Sequence, residues 1–180
     1  DPAALEIVVD VLSTEAVAAL VTAGLSVAAP SQAAAPTVVA LSAAAAPSAT
    51  PDGFAAVPAL GLTTTTGGVG GPTVTVDTTD ELLDAIDTVG PMVIQVSGTI
   101  RITSKQGVRP NKTIVGLGSN ATISGGGFDF YRSFNVIVRN LTFADAEDDA
   151  VNVGQNSHHI WIDHNTFVRP VDGSIDVVRG

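Results

Sequence analysis

The residues with most chemical potential in this sequence are carboxylates. Glu147, Asp148 and Asp149 are consecutive, just ahead of the strand-like run AVNV at 150–153, and Asp172 and Asp176 stand four apart further on. Strand-like segments recur here at an offset of 24 residues: NVIVRNLTF at 135–143 lines up with HIWIDHNTF at 159–167. If each turn of a coil takes about that many residues, Asp149 and the Asp172/Asp176 pair lie one coil apart and can meet on one face. Carboxylates that converge repel one another unless a cation joins them, and a hard, oxygen-seeking ion such as calcium suits such a set. Acids at turns also serve simply to end strands and keep a surface soluble, so the cluster alone does not define a site.

Other polar groups are weaker candidates. Asp163 and His164 place a carboxylate beside an imidazole, but strand alternation through IWIDH puts them on opposite faces, which favours a structural role. His158 and His159 are two neighbours before a strand, too few for a metal centre. Asn140 and Asn165, 25 residues apart, suit a ladder of side-chain amides bonding along a turn. The sequons at Asn111, Asn120 and Asn140 arise often by chance and matter only in a eukaryotic secretory pathway.

The elements that must position the carboxylates are short. TVTV, MVIQV, TIRI, KTIVGL, ATIS, the two nine-residue segments, AVNV and SIDVV are rich in Val, Ile and Thr and are separated by Gly, Asn and Asp. Between them, DTTDELLDAIDTVG at 77–90 is the exception. Asp77 to Thr79 offer N-caps and Leu82, Leu83 and Ile86 fall at helical spacing, so one helix is expected. Coils of this length cannot bury an apolar face alone and must stack, giving in-register ladders of Val and Ile. The expected fold is mainly β: a right-handed parallel β-helix whose N-terminal coils are capped by the helix, which shields exposed strand edges.

Composition narrows the function. The chain has 180 residues and no cysteine, so disulfides, thiolate metal sites and a cysteine nucleophile are excluded. A formal net charge of -10 argues against nucleic acid or an anionic membrane as partner. The charge is uneven, because all eight Lys and Arg lie from Arg101 onward, where they balance eight acids. Residues 1–51 are Ala-rich and contain no aromatic residue; they read as a leader or linker without chemistry. The apolar run at 16–29 has the length of a signal-peptide core and is too short for a membrane span, yet no basic residue precedes it. Residues 52–180 form the folded part.

The order GGxGGPTVTV, helix, VIxVSGTI, NKTIVGLGSNATISGGG, NVIVRNLTF, DDAVNV, HHIWIDHNTF and DGSIDV over residues 67–180 resembles the pectate and pectin lyase family of polysaccharide lyases. The resemblance implies a secreted, extracellular enzyme that cleaves α-1,4-polygalacturonate by calcium-dependent β-elimination, acting as a monomer when full length. By motif position, Asp149, Asp172 and Asp176 would bind Ca2+, with Glu147 as a fourth ligand used in part of the family, and Asp148 as a turn residue. The base in the family is an arginine on a coil beyond the DGSID motif. Arg101, Arg109, Arg132, Arg139, Arg169 and Arg179 do not match it, so the base is expected beyond Gly180 and the chain, cut short at its C-terminus, is expected to be inactive alone. Two alternatives compete: a calcium-independent pectin lyase, against which the carboxylates argue, and a non-catalytic β-helix that binds carbohydrate or serves as a surface protein.

Overall fold

The computed structural model describes residues 50–178; the leader expected over 1–51 falls, apart from Thr50 and Pro51, outside the described residues. Thirteen strands run in three parallel sheets among the described residues. The first sheet orders β1 (Thr73–Val76), β2 (Met92–Val96), β5 (Lys112–Gly116), β8 (Phe134–Arg139) and β11 (His158–Asp163). The second contains β4 (Gln106–Gly107), β7 (Phe128–Tyr131), β10 (Val151–Gly154) and β13 (Ile175–Val178). The third contains β3 (Thr99–Arg101), β6 (Thr122–Ser124), β9 (Thr142–Ala144) and β12 (Thr166–Val168). From β2 onward each coil therefore visits the three sheets in turn and stacks on the one before, which is the expected parallel β-helix. Among the described residues no helix is long and apolar enough to cross a membrane.

Register makes the core. Val74, Ile94, Ile114, Val138 and Ile162 are successive partners in the first sheet, and Ile100, Ile123, Phe143 and Phe167 in the third. Like side chains stack at strand spacing, so each coil covers the apolar face of the last. Phe143 and Phe167 stack at 5.3 Å, and Phe128 meets Phe143 edge-on at 5.5 Å.

The helix, α1 (Thr79–Asp87), is shorter than the 77–90 span of its sequence signal. Thr78 caps it: its hydroxyl accepts from the Glu81 N–H, while the Glu81 carboxylate accepts from the Thr78 N–H. Leu82, Ala85 and Ile86 enter the same buried cluster as Val76, Ile94 and Ile100. At its far end stands Lys112, which occupies an otherwise apolar column between Met92 and Val136 and is fully buried. Its ammonium donates to the carbonyls of Gly90 (2.6 Å) and Pro110 (3.2 Å). Burial, with Arg109 nearby, pushes that ammonium below the usual lysine range.

The two nine-residue segments are not single strands. Each breaks into two, on different sheets, at Asn140 (φ 54°) and His164 (φ 52°). Left-handed residues recur through the stack: Asn111, Asn135 and His159 at one corner, Asn140 and His164 at the next, Asp145 and Arg169 at a third. Each sharp corner needs a residue in this region, and asparagine tolerates it best after glycine.

Candidate functional site

The corner between the third and second sheets changes size along the stack. Between β6 and β7 it is three glycines, 125–127; between β9 and β10, and again between β12 and β13, it is six residues, 145–150 and 169–174. The predicted acids sit in these two enlarged corners and in the strand that follows. A carboxylate oxygen from each of Asp148, Asp149 and Asp172 lies within 4.8 Å of the others.

Asp149 is the anchor of the group. It is 9% exposed, and its Oδ1 accepts from the Gly173 N–H at 2.9 Å, tying one enlarged corner to the next. A Cβ at Gly173 would press on that same oxygen, so any larger residue there would force the Asp149 carboxylate to shift. Lys105, between β3 and β4, reaches the cluster from two coils before that of Asp149, past the three-glycine corner of the coil between: its Nζ is 2.7 Å from Asp148 Oδ2 and 3.6 Å from Asp149 Oδ2. The hydrogen bond from Lys105 holds the Asp148 carboxyl below the usual range, and the Asp148 carboxylate in turn raises the Lys105 ammonium.

Asp176 is on β13, in register with Asn152 of β10 and Asp129 of β7. Within this row the Asn152 Oδ1 is buried and has no hydrogen-bond partner. Glu147 is exposed; its backbone N–H donates to the Gly125 carbonyl, and its carboxylate does not join the group of three. The structure thus brings Asp149 and Asp172 together as the spacing suggested and sets Asp176 on the strand beginning just beyond. It adds Asp148, read from sequence as a turn residue, and Lys105, which no motif marked.

This donor set fits a hard cation. All its atoms are oxygens, they come from two successive coils, one is buried, and an orphaned amide oxygen lies on the strand that follows the first corner. Monovalent compensation by Lys105 leaves an excess of negative charge in the corner.

The remaining candidates are structural. Asp163 Oδ2 is 2.7 Å from His164 Nδ1 and 2.8 Å from Arg139 Nε, so the two neighbours do not point to opposite faces; the left-handed turn at His164 ends the strand alternation. Arg139 also lies over the Trp161 ring at 4.8 Å. Asn165 donates to the Val138 carbonyl and accepts from the Leu141 N–H, while Asn140 donates to the carbonyls of Gly116 and Gly118. They bind different carbonyls and do not stack on each other, because the coil repeat is 24 and Asn140 aligns with His164. His158 stacks on Phe134, and its Nδ1 is 2.9 Å from that of His159. Arg109 pairs with Asp87, Arg169 with Asp145, and Arg132 lies over Tyr131. None of these contacts reaches the carboxylate cluster; Arg179 lies outside the described residues.

Comparison with known proteins identifies the family and the fold. A family model described as pectate lyase matches residues 14–171. A pectate trisaccharide-lyase of Thermotoga maritima is 43% identical over 143 residues, covering 72% of this chain and 38% of that protein. A pectate trisaccharide-lyase of Bacillus licheniformis is 37% identical over 134 residues, covering 64% of this chain and 39% of that protein. The chain therefore spans about two-fifths of the length of these curated relatives. Among solved structures, a pectate lyase from Bacillus sp. N165 in complex with trigalacturonate superimposes with a TM-score of 0.56 at 26% identity, covering 65% of this chain and 42% of that one.

Proposed function

As a member of the pectate lyase family, this chain supplies, we propose, the metal-binding coils of a calcium-dependent enzyme that cleaves polygalacturonate by β-elimination. The observation that carries the reading is the meeting of Asp149 and Asp172 across two successive enlarged corners, with Asp149 buried and held by the Gly173 amide. Asp149, Asp172 and Asp176 are the residues that would hold the ion, with Glu147 available from the exposed end of the same corner. Bound calcium would withdraw charge from the uronate carboxylate and so acidify the proton on C5. The row of Asp129, Asn152 and Asp176 faces outward from the second sheet and gives the oligosaccharide a polar bed beside the ion. The leaving oxygen on C4 departs as that proton is taken, without consumption of water.

The proton acceptor is assigned to no residue of this chain. Arg109, Arg132, Arg139 and Arg169 are committed to other contacts, and the base is proposed to lie on a further coil. Because the substrate is a polymer too large to enter a cell, the enzyme would work as a secreted protein.

The test is release of unsaturated uronates from polygalacturonate, followed by ultraviolet absorbance, with calcium and then with chelator. Product from the full-length protein that disappears on chelation supports the reading. Retention of calcium binding without product from any galacturonan would identify a non-catalytic carbohydrate-binding β-helix, and product that resists chelation would identify a calcium-independent lyase.

A further inference from the structure

Lys105 stands out among the described ion pairs because it is the one cation shared between two carboxylates. It reaches them from two coils back, from the short connection between β3 and β4 and past the corner of three glycines, and only 20% of its side chain is exposed. The Asp148 carboxylate it meets is half exposed, whereas Asp149 is nearly buried, so the ammonium spans the mouth of the cluster from rim to floor. Without a cation, carboxylate oxygens within 4.8 Å of one another would repel and splay the two corners.

We propose that Lys105 is an internal counter-cation: it holds the acidic corners together in the metal-free protein and, by opposing an incoming divalent ion, sets the affinity of the site for that ion. The proposal rests on the calcium reading above. A lysine is suited to this role because its charge is a point on a flexible stem with three donors, so it can leave Asp149 and remain on Asp148 at the rim. An ion seated between Asp149 and Asp172 would then lie within several ångströms of the ammonium, where like charges at a partly buried site repel strongly. Lys105 is accordingly a positioning residue, acting on the ligands rather than on substrate.

The experiment is calorimetric titration of calcium chloride into the metal-free full-length protein, for the wild type and for Lys105→Met, Lys105→Gln and Lys105→Arg. Loss of the charge should tighten calcium binding about tenfold in both neutral variants, while Lys105→Arg stays within about threefold of wild type. The difference should shrink as ionic strength rises, and the calcium-induced rise in melting temperature should be larger in the neutral variants. A residue serving only to brace the loop would lower the melting temperature without tightening calcium binding. Equal or weaker calcium affinity in folded Lys105→Met and Lys105→Gln overturns the counter-cation role and leaves the calcium site standing. Absence of calcium binding in the wild type overturns both.

Discussion

Two corners of the same coils handle polar side chains in opposite ways. At the corner of Asn111, Asn135 and His159, the polar groups satisfy one another. Asn135 Oδ1 accepts from the N–H groups of Thr66 (2.6 Å) and Gly67 (2.9 Å), and its Nδ2 donates to Asn111 Oδ1 (2.8 Å) and to the Gly67 carbonyl. Neutral amides close the ladder internally and pin the segment that runs over the first sheet. At the corner of Asp148, Asp149 and Asp172, like charges face one another, and a single lysine answers two of them. A saturated polar ladder is scaffold, whereas one with surplus charge is built for something the chain itself does not supply.

That contrast can be broken first at the charged corner. Asp149→Asn should weaken calcium binding by at least about a hundredfold, measured by calorimetry, and abolish chelator-sensitive product from the full-length enzyme. Gly173→Ala should weaken calcium binding less, by about tenfold, because its Cβ would displace the Asp149 carboxylate without removing it. At the neutral corner, Asn135→Ala should instead lower stability by about 2–3 kcal/mol in denaturant unfolding and leave calcium affinity unchanged, since it orphans two N–H donors far from the carboxylates. Lys112→Ala should cost a similar 2–3 kcal/mol, through the cavity and the two carbonyls left at the end of α1.

The smallest effect concerns pH. Burial and the neighbouring His159 push the His158 imidazole below its usual range. The unfolded chain takes up that proton near pH 6.5, before the folded chain does. Stability should therefore fall as pH drops below about 6.5, until the folded imidazole also protonates. Melting curves of His158→Phe, which keeps a ring against Phe134, should show a shallower fall over that window.

Much of the fold was legible because its physics repeats. Val and Ile at strand spacing, returning every 24 residues, announce stacked coils, and the same period brings Asp149 to Asp172. What escaped was local. The corners at Asn140 and His164 divide continuous β-forming segments, and nothing in NVIVRNLTF distinguishes a bend from a straight strand except one asparagine. β4 is two residues long and FDFY of β7 follows three glycines, so neither carries enough pattern to register. Lys105 was missed for the same reason: without β4 its coil position is unknown, and a lone lysine in a loop carries no spacing. Asp148 was set aside as a turn residue, which it is, but in this corner the turn itself forms part of the site.

The varying corner size also suggests how such a protein can change. The strands before and after each corner keep their partners whether three residues or six join them, so the core does not register the difference. A corner can lengthen, acquire new side chains and be selected for what it binds, while the coils beneath it go on folding as before. In this molecule the task of turning the chain and the task of gathering charge fall to the same few residues.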